Sequence, residues 1–301
     1  MLGDVLAGEL CPPSPHGLVS LRAELDSAAR AAAAIGGWTE DEPLRLSKHR
    51  VTGLLRCPRR ALNEDHGPSD DVVVGLVVDA VAKLATVSPR RTVTVDEALA
   101  FLSALGDSTV ADHMAARGSG ARQVRAEAAA RIEQLAAAWP AIDPAWWPRV
   151  EEPVRVVLAG GAVTVAGRLD VLLGGPPTGR PAVVLEVKGG RWYDGMRADG
   201  HLYGLMLALR DGEVPAAAVT VVSDGTTQVE PMRAALLQHA AERLDEAMGI
   251  AARVAAGEPP AMSPGAHCQH CPVRPDCPAG QQPQLVAAAR DMAAQLQPES
   301  R

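Results

Sequence analysis

Lysine is almost missing from this 301-residue chain: of 29 basic residues only Lys48, Lys83 and Lys188 carry an ammonium, and the rest are arginines. In such a background a lysine marks a position that wants a compact, pKa-adjustable cation and where a guanidinium will not serve. Long apolar runs are missing too. None approaches the ~20 residues that span a bilayer, so no membrane partner is expected. Five cysteines are too few for a disulfide framework in a chain this long; in a reducing compartment, clustered thiols are metal ligands or redox groups. The first ten residues carry acids where a secretory signal has a basic region, so the cytoplasm is expected. An excess of positive charge is also lacking. The net charge of −7 excludes a bulk electrostatic binder of nucleic acid. An apolar content of 47% is ordinary for a globular protein of one large or two small domains.

The first 145 residues read as helical. Leu18 to Ile35 is Ala-rich without Pro or Gly before the end. Ser47 is placed to cap a helix reaching Leu55, with Cys57-Pro58 just beyond it. Further helices are expected over Asp70–Thr86, from Thr94 or Asp96 to Leu105, and from Arg122 to Trp139, followed by a Pro-rich connector to Pro148. The periodicity then changes. Val154–Leu158 and Ala162–Leu173 read as strands joined by a turn at Gly160-Gly161, and Pro181–Lys188 as a short buried strand after a breaker-rich loop. Met196–Arg210 returns to helix, Ala216–Val222 is another strand, and a long helix is expected from Gln228 to about Ala256. Gln281 to Gln297 reads as a final amphipathic helix or tail.

Chemistry concentrates in two places. Residues i and i+2 of a strand share a face, so Glu186 and Lys188 project together while Val187 points the other way. A hairpin partner brings Asp170 alongside Glu186. Two carboxylates a few Å apart suit Mg²⁺ or Mn²⁺, and an adjacent ammonium can neutralise charge on a phosphate in transit or help activate an attacking water. Surface charges at strand ends are the plainer reading of the same residues. The second place is the cysteine set: Cys268, Cys271 and Cys277 are spaced C-x2-C-x5-C, with Cys57 far upstream and Cys11 unassigned. From Leu44 to Asn63 six basic residues (Arg45, Lys48, Arg50, Arg56, Arg59, Arg60) surround Cys57 without an acid among them. This run is either a solvated helix face or a local phosphate-contacting patch.

Together these residues resemble the PD-(D/E)XK nuclease superfamily, and within it the RecB-like exonucleases that carry an iron–sulfur cluster, a layout shared by CRISPR-associated exonucleases and the AddB nuclease domain. The strand motif Gly167-Arg168-Leu169-Asp170 and the following Glu186-Val187-Lys188 match the family's G-x-x-D and D/E-x-K. One cysteine before the core and three after it match the cluster pattern. The resemblance implies an α/β restriction-endonuclease-like core (αβββαβ, mixed central sheet) with a helical N-terminal region and a C-terminal cysteine staple. It spans residues 44–280: a helical part 44–145, a β-rich core 150–222, a long helix 228–256 and the cysteines 268–277, flanked by extensions 1–43 and 281–301. It also implies catalytic Asp170, Glu186 and Lys188, with Asp79, Asp170 and Glu186 holding Mg²⁺ or Mn²⁺. Cys57, Cys268, Cys271 and Cys277 would hold a 4Fe–4S cluster, with zinc as the alternative and His267 and His270 as further zinc ligands. Substrate contacts fall to Tyr203, Arg56, Arg59 and Arg60. The chain departs from the family twice. Gly75-x-x-x-Asp79 places an aspartate where a histidine is usual, and Asp199-x-x-x-Tyr203 replaces a glutamine. The expected activity is metal-dependent DNA hydrolysis, on single strands or ends. A catalytically silent nucleic-acid-binding scaffold is the alternative, and a zinc-stapled α/β domain of unrelated function the third. No G-x-x-x-x-G-K-[ST] is present, so a helicase or a recombination or adaptation partner would supply unwinding.

Overall fold

The computed structural model of the protein describes residues 17–63, 68–88, 93–139, 142–190, 192–265, 267–268 and 271–282. Cys11, His270 and the expected helix beyond Gln282 lie outside these residues. In chain order the elements are α1 (Leu18–Gly36), β1 (Leu44–Leu46), α2 (Lys48–Arg56), α3 (Pro58–Ala61), α4 (Asp70–Val87), α5 (Val95–Ala104), α6 (Thr109–Arg117) and α7 (Ala121–Ala138). Then come β2 (Arg149–Leu158), β3 (Val163–Gly175), β4 (Arg180–Lys188), α8 (Arg197–Asp211), β5 (Ala217–Val222), β6 (Thr227–Pro231) and α9 (Ala234–Ala255). The strands form one mixed sheet in the order β1-β3-β4-β5-β6, with β2 paired to β3. This is the α/β architecture with the αβββαβ order that the sequence leads one to expect. No described helix is long and apolar enough to cross a membrane.

The chain divides into two compact units, one chiefly of residues 67–155 and 167–240, the other of residues 20–66, 156–166 and 241 onward. In the first unit β3 and β4 are antiparallel, with Val171 opposite Leu185 and Leu173 opposite Val183. β4 runs parallel to β5 from Val183/Ala217 to Lys188/Val222. Parallel neighbours need a crossover, and α8 supplies it. Odd-numbered strand residues (Val171, Leu173, Val183, Leu185, Val187) form a core with Val73, Val77 and Val81 of α4, Leu102 of α5, and Val124 and Leu135 of α7. Helix starts follow local chemistry. Ser69 accepts a hydrogen bond from the Val72 N–H, and Asp70 and Asp71 sit where the α4 dipole favours acids. Thr94 and Glu97 form a reciprocal capping box on α5.

Within the second unit, Ser47 caps α2 as expected, accepting from Arg50 N–H. β1 pairs in parallel with the start of β3, Leu44 opposite Val163 and Leu46 opposite Val165. The helix α1 buries Leu21, Leu25, Ala29 and Ala32, and Asp26 accepts from the N–H of Ala159 at the β2–β3 turn, 2.9 Å away.

One expectation needs correction, and two elements carry no signal in the sequence. The helix expected from Gln228 begins at Ala234, because a turn at Gly225 (φ 92°) reverses the chain and Thr227–Pro231 pairs along β5, Val229 opposite Val219. Thr109–Arg117 is helical, although the sequence leads from Leu105 to Arg122 without a clear signal. β1 has no sequence signal either, because three residues are too short to show a period. Trp146 belongs to the core, at 5% exposure, while its neighbour Trp147 is half exposed.

Candidate active site

The β3–β4 ladder decides which side chains meet. Continuing the observed register by one step puts Asp170 opposite Glu186, and opposed residues of an antiparallel pair point to the same face. The Asp170 carboxylate accepts the Val187 N–H at 2.8 Å, which ties it to the β4 backbone beside Glu186. Glu186 is fully buried. Lys188, two residues on, reaches Glu186 Oε2 at 3.1 Å and Asp199 Oδ2 at 2.7 Å. Asp199 sits in the first turn of α8, so the crossover helix itself supplies Lys188 with its second carboxylate.

Asp79 reaches the site from α4. It forms an ion pair with Lys83, one helical turn along, and Lys83 also pairs with Glu151 and lies 3.4 Å from Asp170 Oδ1. Glu151 in turn meets Arg168 Nε at 3.1 Å. The carboxylates are therefore gathered around two ammonium groups: Asp79, Glu151 and Asp170 around Lys83, and Glu186 and Asp199 around Lys188. Among the described residues no three His, Cys, Asp or Glu side chains stand in position to enclose a metal. The donor chemistry nevertheless fits a hard divalent cation. All the nearby acceptors are carboxylate oxygens, and Asp79 Oδ1 is buried without a hydrogen-bond partner. Burial, and next the charge of Asp170, push the Asp79 carboxyl up to about 8, against the opposing pull of Lys83. Burial draws the Lys83 ammonium down, but Asp170 and Asp79 outweigh it and hold the group above the ordinary lysine range.

Close approaches position these groups. A Cβ on Gly189, directly after Lys188, would lie 2.5 Å from the Gly75 Cα, so α4 passes against the end of β4 where a side chain would not fit. That contact sets Asp79, one turn beyond Gly75, near the strand end. A Cβ on Gly167 would strike the Tyr203 ring at 2.9 Å. Tyr203 is itself buried and donates its hydroxyl to the Arg168 carbonyl at 2.7 Å. Its placement braces β3. A cleft of about 820 Å³ opens past the carboxyl ends of β4 and β5, lined by Gly189, Gly190, Ser223, Asp224, Arg131 and Glu127 among others.

The family model of the PD-(D/E)XK nuclease superfamily matches residues 45–278. The chain belongs to this superfamily. No curated protein matches it. Among solved structures, the crystal structure of SSO0001 aligns over 78% of this chain and 86% of its own, at 16% identity and a TM-score of 0.34.

As a PD-(D/E)XK protein the chain carries its D…E-x-K set on β3 and β4, and its additions are Lys83, Glu151 and Asp199. Of these, Lys83 stands out in the sequence only as one of three lysines, and Asp199 only as a departure from the family pattern. Lys83 was signalled by the scarcity of lysine and by its i+4 spacing from Asp79. Glu151 had no signal: it reaches the site through a backbone at φ 54°, a strained conformation for a residue with a Cβ.

The cysteines lie in the other unit. Cys57, Cys268, Cys271 and Cys277 line one small cavity, as free thiols. Backbone N–H groups of Gly265 and Gly280 point at Cys268 Sγ and Cys277 Sγ, each at 3.4 Å. Donors aimed at sulfur suit thiolates, which are ligands for soft metals and iron–sulfur clusters, but among the described residues no three of the four cysteines stand in position to enclose a metal. Arg59 is committed here: its N–H donates to the Ala261 carbonyl and its guanidinium to the Asp276 carbonyl at 2.9 Å. Lys48 of the same basic run is buried, whereas Arg56 is exposed. Burial, then the charges of Arg56 and Arg60, lower the pKa of His267.

Proposed function

We propose that this PD-(D/E)XK protein is a metal-dependent nuclease that hydrolyses phosphodiester bonds of DNA at single strands or ends, in the manner of RecB-like exonucleases. The observation that carries the reading is the anchoring of Asp170 on the Val187 N–H of β4, next to Glu186, with Lys188 held between Glu186 and Asp199. Mg²⁺ or Mn²⁺, held by Asp79, Asp170 and Glu186, would act as a Lewis acid on phosphoryl oxygens. The chain's own groups do the remaining work. Asp170, anchored on the Val187 N–H, keeps a fixed orientation. Lys188, fixed from two sides, presents a positive charge where negative charge grows on the phosphate. The cleft beyond β4 and β5 gives a strand access to that end of the sheet. The test compares wild type with Lys188→Ala on labelled single-stranded DNA, with Mg²⁺ and with Mn²⁺. Loss of degradation in the variant is expected; equal degradation by both removes the assignment to these residues.

The four cysteines would hold a 4Fe–4S cluster that staples Cys57 to the segment 268–277, supported by the shared cavity and the two N–H···S contacts. Anaerobically purified protein should then be brown and contain about four irons per chain, whereas a colourless zinc protein would reject the cluster. A second reading, a silent DNA-binding scaffold, draws support from Lys83, which already neutralises Asp79 and Asp170.

A further inference from the structure

Lys83 has no part in the reaction outlined above, yet it is the most deeply buried charged group beside the carboxylates apart from Glu186, with 4% of the residue exposed. Its ammonium pairs with Asp79 and Glu151 and lies 3.4 Å from Asp170. Two of those three acids are the oxygen donors assigned above to the divalent ion. An ammonium and a metal ion cannot hold the same carboxylate oxygens together, because two unscreened cations at that spacing in a buried site repel strongly. Without any cation the three carboxylates would repel one another in a place where an unpaired charge is costly. The third acid is different in kind. Glu151 comes from β2, on a strained backbone, and its other oxygen is fastened to Arg168. It is thus an anion held in place by a second cation, Arg168, while it pairs with Lys83. The residue type also matters, since a single ammonium on a four-carbon stem can slide between anions where a forked guanidinium would span them.

We propose that Lys83 is a resident counter-cation of the carboxylate site, which a divalent ion displaces from Asp79 and Asp170, and that Glu151 is the seat to which the ammonium withdraws. The inference rests on the nuclease reading and adds a gate to it: metal entry is set by competition with a cation built into α4. It makes Lys83 and Glu151 positioning residues that act on the metal-binding equilibrium. Two substitutions then have opposite signs. Removing the ammonium frees the donors and strengthens metal binding. Neutralising its seat leaves the ammonium on Asp79 and Asp170 and weakens it.

The experiment is Mn²⁺ titration by calorimetry on the full-length wild type, Lys83→Met, Glu151→Gln and the double variant, with thermal melting of each with and without saturating Mn²⁺. Lys83→Met should bind Mn²⁺ about tenfold tighter or more, the gain expected when a competing bound state is removed. Its melting temperature should be lower than wild type without Mn²⁺ and rise further on addition. Glu151→Gln should bind several-fold more weakly, and the double variant should match Lys83→Met, because Glu151 acts only through the ammonium. A Lys83→Met protein that folds only in Mn²⁺ supports the proposal, and one that stays unfolded in saturating Mn²⁺ overturns it. Unchanged or weaker binding by Lys83→Met overturns it also. So does a double variant weaker than Lys83→Met, which would make Glu151 a ligand. A wild type that takes up no Mn²⁺, with Asp170→Asn no different, fails the nuclease reading itself and is recognisable as that separate outcome.

Discussion

At the scale of single residues, the site is a set of carboxylates whose behaviour depends on which cation each one faces. Asp199 stands where the family has glutamine, and it turns a neutral support into a second anion for Lys188. Replacing it by Asn removes one of the two carboxylates that Lys188 faces. We expect Asp199→Asn to lower DNA cleavage about 10–100-fold, as loss of a supporting partner usually does, with little change in melting temperature, read by initial rates and thermal denaturation. Asp79 makes a pH prediction. Its carboxyl is raised to about 8, so the folded protein keeps a proton that the unfolded chain loses near its ordinary carboxylate pKa. Between about pH 4 and 8 the folded state binds more protons, and stability must fall as pH rises, by at most about 1.4 kcal/mol per pH unit from this group. Urea midpoints of metal-free wild type and Asp79→Asn from pH 5 to 8 check this; the variant should show the shallower fall. Metal binding needs the ionised carboxylate, so Mn²⁺ affinity should rise with pH through the same window.

Elements matter through their closest approaches. α4 and the end of β4 touch backbone to backbone at Gly75 and Gly189, and this contact carries Asp79 and Lys83 to the strand carboxylates. Gly189→Ala would force α4 away, at a cost of about 1–3 kcal/mol, the range for overpacking a tight contact. The neighbouring Gly190 has nothing within 4 Å of a would-be Cβ, so Gly190→Ala should be close to neutral. Urea denaturation of the pair reads the difference, and equal midpoints would show that the contact is not tight in solution. α8 has two duties: it is the crossover that makes β4 and β5 parallel, and its first turn delivers Asp199. Tyr203, on the same helix, braces β3 through the Arg168 carbonyl. Tyr203→Phe should cost about 0.5–1.5 kcal/mol, the worth of one hydrogen bond.

For the molecule as a whole, the cysteine cavity closes a segment of about 210 residues when Cys57 is joined to Cys268, a span for which loop-closure entropy in the unfolded chain is large. Cys277→Ser should therefore lower the melting temperature and the DNA-cleaving activity together without altering any carboxylate. Full stability and activity in that variant would remove the staple. The net charge of −7 adds a constraint on substrate binding. The proposed binding of DNA would have to come from local positive groups, and Arg59 donates to the Asp276 carbonyl while Lys48 is buried. Of the basic run around Cys57, Arg45, Arg50 and Arg56 are exposed.

Much of this was legible in the residues. Period-two apolar strands, the Gly160-Gly161 turn, the capped helices and the D…E-x-K spacing all follow from short-range chemistry, and each survives in the fold. The pairing of Glu186 with Lys188 follows from strand geometry alone. What lay beyond reach was long-range. Thr227–Pro231 became a strand because β5 offered an open edge, and no local preference records that. Glu151 and Lys83 meet 68 positions apart because packing carried α4 against the sheet, and charge pairing there is a property of burial that linear spacing does not encode. Local propensity thus wrote the parts and the catalytic strand; three-dimensional packing chose which cation each acid would face.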